Sequence, residues 1–514
     1  MRSATALSAF LLLGAPVFGD EAKPAEKPAT EKSPAPKPDE KADPAAKFVK
    51  PHKVRIGSED LAYTTTAEDI VLKDAEGKST ATFFTVSYAK DGTGSAESRP
   101  ITFVFNGGPG SSSIWLHFGL VGPRLIDIPS DATDPGAPPY KLRDNPVTIL
   151  RATDLVFVDP IGTGYSRALG EKKNEDFWGY DQDADAVAEF IRSFVTRHGR
   201  WNSPKYILGE SYGGIRTSLL IPRLQTDLSL GLNGAILISP ALNMATLPFI
   251  VAGNDQVFAT SLPAQAATSY YHHRLPDPWK DLDTLLREAE QFAGTDYLTA
   301  LFKGYDIDKA ERDRIAERIH RYTGLSKEYI LRSDLRVSAF RYAKELLRDQ
   351  GKTLGLLDGR YAQSELDNVS DLSSNDPFSA KTGPIYVSTF QDYLRNDLGV
   401  DFEKRYVATN TSAGGKWKRP ASGVGAFAGF VDVTGSLAQG TKDNEALRIF
   451  AAAGYNDLVT SYFAMRYMLE HSGIDAGRLT IKDYPGGHMM YLHRPSQEAL
   501  SNDIVKFIEA GAKK

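Results

Sequence analysis

Short, nearly continuous apolar runs recur along the chain at residues 101–105, 155–158, 206–208 and 235–238. Stretches with helical spacing lie between some of them, notably residues 183–197. Strands that are apolar on both faces and alternate with helices predict a mostly parallel sheet flanked by helices. The preceding stretch differs. Residues 81–89 are rich in β-branched and aromatic side chains, and turn-forming clusters at 74–77 and 91–94 bracket them. That pattern predicts antiparallel strands within residues 54–90, at the edge of the sheet.

The alternation stops after about Met244. Helical spacing then dominates. Pro278 is expected to open one helix, with Trp279, Leu282, Leu286, Ala289 and Phe292 on one face. Ile315, Ile319 and Tyr322 mark a second helix, and residues 334–348 a third. Residues 351–376 are polar with little regular pattern. The α/β rhythm returns at 447–453 and 478–484. The expected class is α/β: one domain formed by residues 51–245 and 431–514, carrying a largely helical cap insertion over residues 246–430.

The beginning of the chain reads differently again. Arg2 precedes an apolar stretch from Ala4 to Phe18, and the small residue Gly19 follows. This predicts a secretory signal peptide, residues 1–19, cleaved near Gly19. The run is shorter than the roughly 20 apolar residues of a membrane span. Residues 20–50 are rich in Lys, Pro and Ala, their acidic and Lys side chains balance, and Phe48 is the only aromatic. Such a composition buries too little apolar surface to fold and predicts a disordered linker. The mature protein is expected to be periplasmic or secreted, without stable membrane insertion. Its oligomeric state is not legible. A net charge of -5 over 514 residues argues against nucleic acid as a partner. The chain has no cysteine, which excludes disulfides, thiol nucleophiles and thiolate metal sites.

The chemistry centres on Gly209-Glu210-Ser211-Tyr212-Gly213-Gly214, between the apolar run 206–208 and a helix-like run at 215–224. Glycines around a serine at a strand-to-helix turn suit a nucleophile elbow, which exposes the hydroxyl. A serine hydroxyl needs a base, and the base an orienting acid. Of nine histidines, His488 stands out, in the Gly486-Gly487-His488 loop at the end of a strand. Asp457 follows Gly454 at the end of the preceding strand. The order Ser211, Asp457, His488 is that of an α/β-hydrolase. The adjacent His272 and His273 lack a spaced partner, so no metal site is expected. No phosphate-cradling or dinucleotide motif is present, and no cofactor is expected. The loop Asn106-Gly107-Gly108-Pro109-Gly110 follows another apolar run and suits an oxyanion site, with the N–H of Tyr212 as the other donor.

Together with Asp159-Pro160-Ile161-Gly162-Thr163-Gly164-Tyr165-Ser166 and Gly487-His488-Met489, these motifs resemble the serine carboxypeptidase family in order and spacing, over about residues 80 to 505. The resemblance implies an α/β-hydrolase fold with an inserted cap, and release of residues from peptide C-termini through an acyl-enzyme. It implies Ser211 as nucleophile, His488 as base and Asp457 as orienter. Gly108 and Tyr212 would form the oxyanion hole, and Asn106 and Glu210 would bind the substrate's C-terminal carboxylate. The chain departs from the family in lacking the disulfides common in eukaryotic members, in its unalignable cap, and in Leu120, where many members carry a Glu. Without that second acid, Glu210 is expected to be ionised near neutral pH and to repel a carboxylate, so that the enzyme either tolerates blocked C-termini better than its relatives or uses a cation such as Arg216 instead. An esterase or acyltransferase on the same fold is the first alternative. A binding protein on an inactive hydrolase fold is the second.

Overall fold

The computed structural model describes residues 46–249, 253–420 and 430–512. The expected signal peptide, and residues 20–45 of the expected linker, lie outside the described residues.

A ten-stranded sheet runs through the molecule. Its principal strands are β1 (Lys47–Ile56), β2 (Glu59–Lys73), β3 (Ser79–Lys90), β4 (Ile101–Phe105), β5 (Asp154–Val158), β6 (Lys205–Glu210), β7 (Gly234–Ile238), β8 (Arg448–Gly454) and β9 (Leu479–Tyr484). They lie in the order β1-β2-β3-β5-β4-β6-β7-β8-β9, and the two-residue strand Arg167–Ala168 pairs with β3. The six from β5 to β9 are parallel. The first three are antiparallel and form the edge. This is the sheet of an α/β-hydrolase.

Successive strand residues point to opposite faces, so both faces need cover. Leu208, Ile236, Ile238 and Phe450 pack on one side with Leu500, Ile504 and Ile508 of the helix Arg494–Ala512. Ile207, Ala235, Leu237 and Ile449 pack on the other. There they meet helices α1 (Tyr180–Arg197) and α2 (Tyr212–Pro222), through Phe190, Phe194, Ile215 and Leu220. Each fully buried Leu, Ile or Phe in these layers contributes about 1.5–3 kcal/mol, which makes the sheet a rigid platform for its loops. Among the described residues, no helix is long and apolar enough to cross a membrane.

Between β7 and β8 the chain builds a third apolar cluster, from Leu262, Leu285, Phe292, Ile315, Ile319, Tyr322 and Tyr342. Its local structure departs from the sequence pattern in three places. Pro278 precedes the helix instead of opening it. The helix is Leu282–Phe292, because Asp281 is extended and its carboxylate accepts the N–H of Thr284 at 2.7 Å. Only Ala339–Glu345 of the third expected stretch is helical. Asp334 and Leu335 have φ of 52° and 63°, which no right-handed helix accommodates. The patternless stretch contains a hairpin, Lys352–Leu354 with Ala362–Ser364, whose strands are too short to show a period.

The linker boundary also moves. Lys47 to Lys50 were expected to be linker, yet they form the start of β1 and pair with Glu68 to Thr65. Phe48 meets Phe402 edge-on at 5.8 Å, a contact 354 residues away in the chain that no local composition reveals. A chain shortened to begin at Lys50 should therefore melt lower than one beginning at Pro44, by roughly 2 °C. Equal melting temperatures would show that the first rungs of β1 contribute nothing.

Candidate active site

Ser211 follows the last residue of β6 and precedes α2, with φ 61° and ψ −124°. A positive φ at a non-glycine residue costs energy, and here neighbouring contacts hold it. Its N–H donates to Ile238 O at 3.0 Å, and its carbonyl accepts from Gly214 and Ala241. A Cβ at Gly209 would collide with the main chain of Gly213, and one at Gly214 would lie 2.6 Å from Pro240 Cβ. Those glycines are what let the turn close.

The loop after β4 lies against this turn. A Cβ on Gly107 would stand 2.5 Å from Tyr212 N and 2.9 Å from Ser211 Cβ. Tyr212 is the first residue of α2, so its N–H has no intrahelical acceptor, and the positive end of the helix dipole lies beside Ser211. Asp159 braces the loop from behind by accepting Ser113 N–H and the Tyr406 hydroxyl, each at 2.8 Å. Burial pushes the Asp159 carboxyl up to about 6.

Asp457 and His488 follow β8 and β9 and come together. His488 Nδ1 lies 2.7 Å from Asp457 Oδ2, and both side chains are buried. Asp457 Oδ1 accepts the N–H groups of Val459 and Thr460 at 2.8 and 2.9 Å. The Thr460 hydroxyl sits 2.6 Å from Asp457 Oδ2 and 3.0 Å from His488 Nδ1. With Nδ1 directed at a carboxylate, Nε2 is left as the basic nitrogen. Burial pulls the His488 pKa down, but the negative charge and hydrogen bond of Asp457 outweigh it, helped by Glu210, so the net shift is upward. Ser239 ties His488 to the elbow. It follows Ile238, the acceptor of the Ser211 N–H, and its hydroxyl donates to His488 O at 2.8 Å.

Glu210 is buried, 4% exposed. Asn106 Nδ2 donates to its Oε1 at 2.9 Å, and the Tyr491 hydroxyl donates to Oε2 at 2.5 Å. Asn106 is held by accepting Leu116 N–H on Oδ1 at 3.0 Å. Burial is the dominant influence and pushes the Glu210 pKa up to about 7, against the opposing pull of His488, Tyr491 and Asn106. Glu210 was expected to be ionised near neutral pH; burial outweighs the missing like charge and leaves it only partly ionised there. Leu120 is fully buried in the core. The donor facing Glu210 is Tyr491, and a side chain at Gly119 would collide with its ring.

Arg216 does not serve as a free cation. It is fully buried, with Nε 2.7 Å from Asp183 Oδ2, and its Nη1 donates to Asn106 O at 2.6 Å. It holds the backbone of Asn106 from behind. Replacing Arg216 by Met would leave Asp183 buried and alone, at an expected cost of about 3–5 kcal/mol in a denaturant titration. An unchanged unfolding midpoint would mean that water reaches Asp183.

Sequence reasoning missed Tyr491, Thr460 and Ser239 as parts of the site. Tyr491 and Thr460 each lie three residues after a singled-out residue, a spacing that could have flagged them. Ser239 carries only its place after a strand.

Against known proteins, residues 71–245 match the serine carboxypeptidase family model. The curated relative "Serine carboxypeptidase-like 50" of Arabidopsis thaliana is 32% identical over 158 residues, 30% of this chain and 32% of the relative. The chain thus matches about a third of that relative's length. The solved structure of Kex1Δp, described as a prohormone-processing carboxypeptidase from Saccharomyces cerevisiae, superposes with a TM-score of 0.56 at 16% identity. That superposition covers 87% of this chain and 91% of Kex1Δp, and it shows the shared fold. The matched segment contains Asn106, Gly108, Glu210, Ser211 and Tyr212, whereas Asp457 and His488 lie beyond it.

Proposed function

We propose that the protein is an exported serine carboxypeptidase that releases C-terminal residues from peptides. The observation that carries this reading is the buried Asn106–Glu210 pair, one residue before Ser211. A protonated Glu210 and the Asn106 amide offer donors to a carboxylate beside the hydroxyl, which suits a peptide's own C-terminus.

In this mechanism Ser211 Oγ attacks the scissile carbonyl carbon, and its proton passes to His488 Nε2. The N–H groups of Gly108 and Tyr212 stabilise the oxyanion. Asp457 orients His488 and stabilises its charged form. The C–N bond then breaks as His488 returns the proton to the leaving amine. Water, deprotonated by His488, releases the acyl group from Ser211. No metal or cofactor takes part. The apolar start of the chain supports export, and the residues between it and β1 are proposed as a linker.

The test is incubation of the protein with mixed peptides, read by mass spectrometry, with a serine-directed phosphonate as the label. The expected result is a ladder of C-terminal truncations, abolished by phosphonate attached to Ser211. Cleavage of esters without peptides would favour the esterase alternative. An unlabelled Ser211 with no turnover would favour an inactive binding protein.

A further inference from the structure

The stretch between β7 and β8 reaches into the catalytic loops. Its residues 355–361 form a tight turn: Gly355 N–H donates to Tyr361 O at 2.9 Å, and Tyr361 N–H to Asp358 O at 3.1 Å. Three main-chain hydrogen bonds tie this turn to the loops that carry Asp457 and His488. His488 N–H donates to Leu357 O at 2.6 Å, Leu458 N–H to Leu356 O at 3.0 Å, and Gly359 N–H to Asn456 O at 2.9 Å. The turn therefore holds the base itself and both neighbours of the acid.

We propose that residues 355–361 are a strap that fixes the Asp457–His488 distance, with Asp358 and Arg360 as its positioning residues. The proposal rests on the assignment of Asp457 and His488 as acid and base.

Asp358 and Arg360 set the shape of the strap. The Asp358 carboxylate accepts Arg360 N–H at 3.0 Å and, through its two oxygens, Arg360 Nε at 3.0 Å and Nη2 at 2.6 Å. Their side chains are 0% and 4% exposed. This local, forked pairing closes the turn, while Tyr361 and Leu357 pack on one apolar cluster and Leu356 on another. The strap then fits the base loop closely. The place a Cβ would take on Gly487, next to His488, is filled by Asp358. Its outer side is anchored too. Asp376 Oδ1 accepts Leu356 N–H at 2.9 Å, and His272 Nε2 lies 2.7 Å from Gly359 O. Burial lowers the pKa of His272, so it is a neutral donor to that carbonyl over the neutral range.

A second buried ion pair supplies the comparison. Lys344 and Glu365, 2.8 Å apart and 0% and 1% exposed, belong to the same stretch of chain. None of the contacts of the strap with the catalytic loops involves them. Breaking either pair should destabilise the protein. Only the Asp358–Arg360 pair should reach the base.

The experiment compares Arg360→Gln, Arg360→Lys and Lys344→Met with the unaltered protein. Two quantities are read: kcat per phosphonate-titrated site, and the low-field proton resonance of His488 Nδ1–H. Arg360→Gln is expected to lower kcat about 10- to 100-fold, the scale of a small misplacement of reacting groups. KM should stay within about twofold, since the carboxylate site is untouched. The His488 resonance should shift or broaden, and Arg360→Lys should recover part of both losses. Lys344→Met should leave both quantities unchanged in the folded fraction. Should Arg360→Gln fail to fold, Arg360→Lys carries the test, because it keeps the charge and loses the fork. If the Arg360 variants behave like Lys344→Met, the strap is only structural and the proposal falls. The resonance depends on the Asp457–His488 pair and not on turnover. An unaltered protein that neither labels nor turns over would sink the proposed function and still leave the strap readable.

Discussion

Ser211→Ala and His488→Ala should each remove nearly all turnover, by on the order of 10⁴- to 10⁶-fold in kcat, while leaving the fold intact. In the proposed mechanism the hydroxyl and the imidazole act in one step, so losing either disables the other. The double variant should therefore be little worse than either single one. Asp457→Asn should be nearly as severe. An amide at that position can present an N–H to Nδ1, and the imidazole then turns its proton toward the serine. It would also leave the charged form of His488 without its counter-charge. The neighbours sharpen this case, because Val459 N–H, Thr460 N–H and the Thr460 hydroxyl all meet the Asp457 carboxylate. An amide in the same place cannot accept them all. Steady-state kinetics on a dipeptide acid provide the measurement, with circular dichroism as the check on folding. Losses that multiply in the double variant would mean that the two residues are not partners.

The second large effect is in pH. In the proposed function, binding a substrate carboxylate requires a proton on Glu210, and that proton is lost as pH rises through about 7. The proposed catalysis requires a neutral His488, whose pKa lies above its ordinary value. For a substrate with a free C-terminal acid, kcat/KM should rise as His488 loses its proton and fall as Glu210 loses its own. The decline should approach tenfold per pH unit beyond the Glu210 pKa, as for any single required proton. The corresponding C-terminal amide needs no proton there and should show only the rising limb. Glu210→Gln, a fixed neutral donor, should remove the falling limb for the acid. Tyr491→Phe should move that limb to higher pH, because the carboxylate form loses a hydrogen bond. Burial and the charge of Glu210 hold the Tyr491 phenol well above its usual pKa, so it stays a donor throughout. The groups around Glu210 are Asn106, Tyr491, His488, Asp457 and Tyr386. Identical alkaline limbs for acid and amide would refute the role of Glu210.

Much of this was legible in the chain itself. The strands of the sheet were readable because side chains buried on both faces must be apolar at every position, so β4, β5, β6 and β7 stand out as runs. The positions of Ser211, Asp457 and His488 just past strands were readable because glycines there open the turn. The Asn106–Glu210 pair was legible through resemblance to the serine carboxypeptidase motifs. What remained hidden depends on distant residues meeting. Phe48 looks like part of a charged tether until Phe402 packs on it. Arg216 looks like a spare cation until Asp183 and the Asn106 carbonyl occupy it. The state of Glu210 turned on burial, which a missing acid at Leu120 cannot report, and on Tyr491, brought 281 residues along the chain to its carboxyl. The turn at 355–361 is too short to show a period, yet its main chain touches the loops of both Asp457 and His488. Local pattern records which face of an element is dry. The protonation state of a group and the grip on a base depend on which dry faces the fold brings together.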